Sequence, residues 1–482
     1  MVDDEAAPRY RFGPLERRGL VAGWRGGQIA AVAVSLVVAV GILRAHPSLA
    51  GAALAFVVVA AGVTVATWPV AGRTAEQWAP DAVRHLDALL RQKKLRRRQP
   101  FATLRFLDID LAGTGSSAGV IHDIVAHTYT VVLSVSGPGF VLLGASDKSR
   151  RVGGWSGVLA SLAREGTAVH RIQWIERSVP DDGAEVRHHL AERAVLDGDS
   201  LSWRSYAELV DEEVSEVHRH EVMVVVTVHA GHTARAIRAA GGGQRGACAV
   251  LLREAASLAR RMGEAGLDVA GVLTPTALAD SFRRGFDTES GARSGARPET
   301  ETTDNSIRTL SPWPGPMGLV AEWGRIRTDA TWHSTYWIAE WPRTDVAADF
   351  LGPLLLVSDI RRSVSVVMEP VAPLRAARRI EQARTADIAD AELRRRGGFL
   401  ATARRRREED VLVQREGELA DGHGSFRFSG YVTVSASDTE ALEEACGRME
   451  QVAGQAGLEL RRCYGDQAVA FTCTLPLGRG LV

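Results

Sequence analysis

Histidines and glycines are the residues whose spacing could support chemistry in this sequence. The histidines form three close pairs, His188–His189, His218-x-His220 and His229-x-x-His232. On a strand, His218 and His220 would face the same side, but no nearby Cys, Asp or Glu completes a four-ligand shell at the usual spacing. We therefore interpret these histidines as polar residues at the ends of helices and strands, and the sequence predicts no metal site.

A glycine-rich stretch at residues 241–246 precedes a predicted helix that begins near Ala247. Glycines at a helix N-terminus can present backbone N–H groups to a phosphate. No strand feeds directly into this stretch, so we favour an insertion loop over a phosphate site. A P-loop is excluded because none of the three lysines, Lys93, Lys94 and Lys148, follows a glycine.

No H-E-x-x-H zinc motif occurs in the chain. With no acid, base and nucleophile at workable spacing, the sequence predicts a protein that is not an enzyme, with no catalytic residue and no cofactor. The four cysteines show no C-x-x-C spacing, which favours buried thiols in a reducing compartment over a zinc site or a disulfide framework.

Composition places the chain among globular proteins of several domains. At 482 residues it is long enough for about three domains. The 58 basic residues balance the 58 acidic ones, and 45% of the residues are hydrophobic. These values exclude a wholly disordered or collagen-like chain and give no global charge excess that would suit a nucleic-acid coat.

Two apolar runs near the start predict a transmembrane helical hairpin at residues 26–70, with spans at about 26–43 and 49–68. The second run covers about 30 Å, one hydrocarbon core, whereas the first needs residues 24–28 to complete its span. The turn between them is short and contains Pro47, which disfavours one continuous helix. The predicted membrane-interface residues are Trp24, Arg25, Trp68 and Arg73.

The charges that flank the hairpin predict its orientation. Five arginines precede it, eight cations follow it within residues 73–98, and only Arg44 lies in the turn. The positive-inside rule then places both termini in the cytoplasm, in a multi-pass protein of the cell (inner) membrane that contacts the lipid bilayer. A cleaved signal peptide and a hairpin buried in a soluble core are the alternatives, and we favour the membrane hairpin over both.

The hairpin would lie between two basic segments. Residues 1–25 form a predicted basic cytoplasmic leader, and residues 72–98 a basic amphipathic helix, which either lies under the inner leaflet or packs on its own domain. Further arginine clusters occur at 375–379, 394–396 and 404–407. Interleaved acids favour a long solvated helix there, and direct contact with nucleic acid is left open.

Short strings recur in the two halves of the remaining chain. The sequence Val-Thr-Val-His-Ala at 226–230 corresponds to Val-Thr-Val-Ser-Ala at 432–436, and Ala-Gly-Leu-Asp at 265–268 to Ala-Gly-Leu-Glu at 456–459. One insertion, 231–245, reconciles the spacing. We predict an α+β fold in which the transmembrane hairpin precedes two tandem ferredoxin-like (βαβ-βαβ) cytoplasmic halves, 99–286 and 312–482, joined by a flexible linker at 287–311.

The order of these parts, with the strings Gly-Tyr-Val-Thr-Val-Ser-Ala at 430–436 and Thr-Leu-Pro-Leu-Gly-Arg-Gly-Leu at 474–481, resembles an actinobacterial membrane-protein family. That family is found with type IV secretion-like conjugation genes. Its hairpin resembles the small PrgI-type subunit, and its cytoplasmic part resembles the N-terminal, non-motor portion of the conjugation ATPase. In the ATPase family the motor follows such a Leu-Pro segment, whereas this chain ends at Val482.

The resemblance implies a non-catalytic inner-membrane structural subunit that forms homo- or hetero-oligomers. Its expected partners are a separate hexameric motor ATPase and the channel subunits of a secretion apparatus. One alternative is the two-span membrane subunit of a type VII (ESX-like) secretion system, which shares the layout. An alternative from another functional class is a membrane-tethered enzyme whose active site is too irregular to recognise from the sequence.

Overall fold

The structure of the protein is a computed structural model. It describes residues 10, 12, 26–67, 100–111, 116–137, 139–180, 190, 200–214, 218–287, 299–304, 307–311, 313–396 and 403–481.

Two apolar helices, α1 (Gly26–Ala45) and α2 (Leu49–Thr67), form an antiparallel pair near the start of the chain. Small residues let them approach closely. A Cβ on Gly62 would lie 2.5 Å from the Ser35 side chain, and the alanines Ala39, Ala55 and Ala66 are buried. The hairpin predicted from the sequence therefore forms as a helix pair.

Neither helix, over its described residues, is long and apolar enough to cross a membrane. The uncharged run of α1, residues 26–43, covers roughly 27 Å, and the 19 residues of α2 cover roughly 28 Å. Both lengths are below the ~30 Å of a hydrocarbon core. The sequence prediction had counted Trp24 and Trp68 into the spans, and both lie outside the described residues. The structure therefore contradicts the predicted transmembrane hairpin and the multi-pass membrane localisation derived from it.

The rest of the described chain alternates strands and helices. The elements up to residue 284 are β1 (Leu104–Leu111), β2 (Ser116–Asp123), β3 (Thr128–Ser136), α3 (Ala145–Leu162), β4 (Val169–Pro180), α4 (Leu201–Val214), β5 (His218–His229), α5 (Ala234–Ala239), α6 (Gly243–Glu264), β6 (Asp268–Val272) and α7 (Pro275–Arg284).

The elements after residue 284 are β7 (Glu299–Asp304), β8 (Ile307–Ser311), β9 (Leu319–Ala321), β10 (Ile326–Thr328), β11 (Thr331–Glu340), α8 (Gly352–Leu355), β12 (Arg361–Val371), α9 (Pro373–Arg396), α10 (Ala403–Ala420), β13 (Ser425–Ala436), α11 (Thr439–Gln455), β14 (Glu459–Arg462) and α12 (Gln467–Thr472).

All of these strands belong to one antiparallel sheet in the order β7-β8-β1-β2-β3-β5-β4-β12-β13-β11-β10-β9, with β6 also paired to β3 and β14 to β11. Two units with the same connectivity lie within it. The first unit, β3-α3-β4-β5-α6-β6, has the strand order β6-β3-β5-β4; the second unit, β11-α8-β12-β13-α11-β14, has the order β14-β11-β13-β12. This βαββαβ connectivity is that of a ferredoxin-like fold. The class is α+β, as predicted. The prediction that the α1–α2 hairpin spans a membrane is wrong.

The repeated sequence strings occupy equivalent places in the two units. The first pair ends β5 and β13, and the second follows α6 and α11. Gly266 and Gly457 have left-handed φ angles of +82° and +71°, which lets the chain leave each helix and enter the edge strand. The extra residues 231–245 in the first unit contain the short helix α5.

The units join edge to edge where β4 pairs with β12, from Arg177 opposite Ser363 to Ile172 opposite Met368. We call this pairing the junction. One hydrophobic cluster lies under α3 and α6, and another lies under α8 and α11. A third cluster covers the opposite face of the sheet, where Phe106, Phe282 and Phe471 pack under α7 and α12. Trp174 packs against both helix-side clusters, so the two units share a core.

The segment predicted as a flexible linker, 287–311, contains the strands β7 and β8. Ile307 and Leu310 are buried, and β8 adds three residue pairs to the outer edge of β1. One buried apolar side chain on each face of the sheet thus anchors β8 within a polar stretch. The predicted leader and the basic helix at 72–98 lie outside the described residues, except for Tyr10 and Phe12; Tyr10 bridges to Val346 and Phe12 stacks on Trp341. The domain boundaries stay a prediction.

Replacing Gly457 by alanine should lower the free energy of unfolding by about 1 kcal/mol, because a Cβ is disfavoured at its positive φ. Gly447→Ala is the matched control: Gly447 lies inside helix α11, which Gly457 follows, and a Cβ there meets nothing within 4 Å. That change should stabilise by up to about 1 kcal/mol. Urea unfolding of both variants measures the difference, and equal effects would contradict a structural role for the left-handed glycine.

Candidate functional site

The four residues predicted at the membrane interface, Trp24, Arg25, Trp68 and Arg73, lie outside the described residues, as do His188 and His189. The structure therefore does not test these positions. Among the sequence features that it does describe, charged and polar side chains concentrate in two places, at the junction and around His170.

Buried charges lie on the helix-covered face of the junction. Glu176 on β4 and Arg362 on β12 have side chains that are 4% and 0% exposed, and their Oε1 and Nη2 atoms are 3.4 Å apart. The Arg362 guanidinium also donates to the carbonyls of Val357, at 2.7 Å, and Leu355. His220 on β5 adds a contact of 2.5 Å between its Nδ1 and Glu176 Oε1. A single carboxylate thus links three strands from both units.

A second charged group lies on the opposite face, one residue along β4. Arg177 donates from Nη1 to the Ser281 carbonyl at 2.7 Å and from Nε to Ser363 Oγ at 3.2 Å. Glu221 Oε2 lies 4.0 Å from Arg177 Nη1, and Glu221 Oε1 forms an ion pair of 2.8 Å with Nη2 of Arg284 at the end of α7. Burial lowers the pKa of Arg177, and it lowers that of Arg362 on the other face.

Both groups leave buried polar atoms without a hydrogen-bond partner in the described part of the chain. On the helix-covered face these atoms belong to Glu176, Ser178 and Arg362, and on the opposite face to Arg177, Glu221 and Arg284. Each such atom costs about 1–3 kcal/mol unless water reaches it. The junction is consequently a polar seam between the apolar clusters of the two units.

Residues 473–481, the C-terminal segment, cross the junction on the face opposite helices α3 and α6. Gln173 of β4 is fully buried and donates from Nε2 to the carbonyls of Cys473 and Leu475 at 2.9 and 3.0 Å, while its Oε1 accepts from the Gly478 N–H at 2.8 Å. Its Nε2 also donates to Ser365 of β12. One amide side chain thus connects the first unit, the second unit and the C-terminal segment.

Charged and aromatic contacts hold the end of the same segment. Arg479 pairs with Asp123 at 2.5 Å; although burial alone would raise the pKa of Asp123, the bond and charge of Arg479 lower it. Tyr431 of the second unit donates to the Gly480 carbonyl at 2.7 Å. Arg171 donates to the Leu481 carbonyl at 3.1 Å and pairs with Glu369 of β12.

A histidine cluster lies at the other end of β4. The His170 ring lies 5.3 Å from that of His229 and 5.0 Å from that of His232, and the latter two rings stack at 4.3 Å. Burial, reinforced by the nearby Arg171 charge, lowers the pKa of His170 to about 4. Within the described residues, no group of three or more His, Cys, Asp or Glu is arranged to hold a metal ion.

The cluster borders a cavity of about 500 Å³. His170, His232 and Thr233 of the first unit line one side, and Glu369 and Arg375 of the second unit line the other. The sequence had singled out His229 and His232 as a pair, and the structure adds His170 from a separate strand. The cavity is a mixed polar recess at the boundary between the units, and the His170 imidazole beside it is neutral at pH 7.

The glycine-rich stretch at 241–246 connects α5 to α6. Gly241, Gly242 and Gly243 have positive φ angles, and a Cβ on Gly246 would lie 2.4 Å from the Ile237 carbonyl oxygen. These glycines allow a tight turn and a close helix contact. The predicted long arginine-rich helix is two helices, α9 and α10, joined by the ion pair of Arg384 with Glu416 at 2.5 Å.

The described fold and its polar junction define an α+β scaffold with an internal repeat. Residues 216–338 match the family model described as "Putative type VII ESX secretion system translocon, EccE". The matched part runs from β5 of the first unit to β11 of the second and covers about a quarter of the chain. A search of curated proteins finds no match. The similarity is to a secretion-system family, and it supports the type VII alternative rather than the type IV assignment.

Replacing Arg362 by methionine should cost about 3 kcal/mol or more of unfolding free energy, because the Glu176 carboxylate would keep its burial and lose its cation. Adding Glu176→Gln should recover part of that loss. Arg448→Met is the control, since its ion pair with Asp359 is exposed and worth about 0.5 kcal/mol or less. Denaturant unfolding measures the free energy of unfolding of each variant. Equal losses for Arg362→Met and Arg448→Met would show that the buried ion pair does not stabilise the junction.

His333 of β11 should make stability depend on pH. It is fully buried between Thr328 and Ser435, at 2.6 and 2.8 Å, and burial lowers its pKa from 6.5 to about 3. The unfolded chain therefore binds a proton that the folded chain does not, and stability falls as pH drops from 6.5 towards 3, by up to about 4 kcal/mol.

His333→Gln should flatten this dependence even though it removes a hydrogen bond. The measurement is the difference in unfolding free energy between wild type and variant at several pH values from 3.5 to 7.5. A constant difference over that range would contradict a buried neutral imidazole.

Proposed function

We propose that this protein is a structural component of a type VII ESX secretion translocon. The observation that carries the proposal is the match of residues 216–338 to the EccE family model. The matched segment contains the third strand of the first unit, the strands β6 to β10 and the first strand of the second unit. It is therefore the part of the chain that connects the two units.

The proposed role is that of a scaffold with no catalysis of its own. The contacts at the junction support it: buried ion pairs and a buried glutamine fix one unit against the other, and the C-terminal segment contacts both. Such contacts rigidify a surface on which other subunits can dock. We propose other translocon subunits and a separate hexameric motor ATPase as the partners.

Co-purification tests the proposal. The tagged full-length chain, expressed in a host with its complete secretion gene cluster, should retain type VII translocon subunits and their ATPase through detergent extraction. Arg362→Met, which loosens the junction, should retain less of them, whereas the surface change Arg448→Met should retain as much as wild type.

Three results would contradict the proposal. Retention of a conjugation ATPase instead of type VII subunits would favour the type IV assignment. A folded chain that retains no secretion subunit would exclude the scaffold role. ATP turnover by the purified chain alone would show that the protein is an enzyme.

A further inference from the structure

The two ends of the sheet differ in how their outer strands are covered. β1 is separated from the first strand of the first unit, β3, by one strand, and β9 is separated from the first strand of the second unit, β11, in the same way. The outer edge of β1 is covered by β8, through only three residue pairs, Leu107–Thr309, Asp108–Arg308 and Ile109–Ile307. The outer edge of β9 pairs with no strand in the described part of the chain.

The backbone of β9 presents hydrogen-bonding groups to this open side. Its register pairs Leu319 with Thr328 and Ala321 with Ile326 on β10. Glu322 N–H donates to the Arg325 carbonyl, and the Gly318 carbonyl accepts from Asp329. Along a strand, the backbone N–H and C=O groups of successive residues point to opposite edges. The groups of Val320 therefore also point towards β10, whereas those of Leu319 and Ala321 point outwards.

Apolar side chains accompany these outward groups. Met317 is 95% exposed and Val320 is 57% exposed, and Trp323 is exposed at the other end of the strand. Aromatic residues and methionine are enriched in protein interfaces, and an exposed apolar edge is a template for strand pairing. By contrast, the outer strand at the other end of the sheet, β7, has the polar sequence Glu-Thr-Glu-Thr-Thr-Asp.

The sequence of this edge is complementary to itself. If two copies of β9 pair antiparallel about a twofold axis at Val320, Leu319 of each copy lies opposite Ala321 of the other. Their outward N–H and C=O groups then form hydrogen-bonded pairs, and Val320 meets Val320 at the non-hydrogen-bonded position. Met317 of each copy comes opposite Trp323 of the other, a sulfur–aromatic contact.

We propose that the β9 edge is a homodimerisation surface, through which two copies of the chain join their sheets across Val320. Such pairing is isologous, so it closes at two copies rather than extending into a filament. The short strand buries little area, which places the contact among weak interfaces that partners or high concentration favour.

A cysteine at the axis tests the pairing directly. Non-hydrogen-bonded antiparallel pairs bring the Cα atoms to about 4.5 Å, within disulfide range, and the native cysteines are all buried. Full-length Val320→Cys in detergent should form a disulfide-linked dimer under mild oxidation. Val125→Cys, placed on another exposed valine, should form at least fivefold less.

Val320→Lys should abolish the dimer in sedimentation velocity because two ammonium groups would meet at the axis, whereas Val125→Lys should sediment as wild type does. Both lysine variants keep the apolar α1–α2 pair, so association through those helices affects them equally. A monomer with no Val320→Cys cross-link would overturn the proposal. So would protection of the Ala321 amide from hydrogen exchange in a monomer, which would indicate that another segment of the same chain covers β9.

Discussion

The pairing of β4 with β12 is the interaction on which the rest of the structure depends. It converts two ferredoxin-like units into one sheet and puts Glu176 and Arg362 at diagonal positions on the same face, where both side chains are buried. Burying an ion pair costs several kcal/mol per charge, and the geometry must recover that cost. A shift of register by one residue would put the two charges on opposite faces of the sheet. The ion pair therefore specifies the alignment of the two units more than it stabilises them.

The two units also repeat their internal chemistry. Thr130 and Thr227 share a hydrogen bond of 3.0 Å between neighbouring strands of the first unit, and Thr335 and Thr433 share one of 2.8 Å in the second. In the second unit the network extends to Thr474 of the C-terminal segment, at 2.8 Å from Thr433. The buried hydroxyls lie on the face that this segment covers, so the repeat itself carries the polar surface on which the segment rests.

Local sequence patterns predicted the repeated parts well. The matching strings around Thr227 and Thr433 mark equivalent strands, and the glycines at 266 and 457 mark equivalent helix ends, because each depends on nearby residues alone. The two apolar runs predicted a helix pair, which the structure contains, but over their described residues these helices are not long and apolar enough to cross a membrane. The strands at 299–311 were missed because two buried side chains, Ile307 and Leu310, are a weak signal among polar neighbours.

The junction could not have been predicted in this way. Glu176 and Arg362 are 186 residues apart. Each of them, taken alone, indicates only a charged residue in a strand and gives no sign of its partner. One signal was present: β4 carries Gln173, Glu176 and Arg177 on both of its faces, which is unusual for a central strand and marks polar partners elsewhere in the chain. The partner residues, as well as the grouping of His170 with His229 and His232, follow only from the strand order.

The contacts of Gln173 also constrain how the molecule is made. Its amide nitrogen binds the carbonyl of a residue 300 positions later. At a synthesis rate of roughly 5–20 residues per second, the ribosome needs at least about 15 s to deliver that partner after Gln173 has emerged. During that interval β4 is a nascent edge strand with unsatisfied polar groups, a template for wrong pairing. Folding of this chain thus includes a delay of at least about 15 s, in which a chaperone can protect the exposed edge of β4.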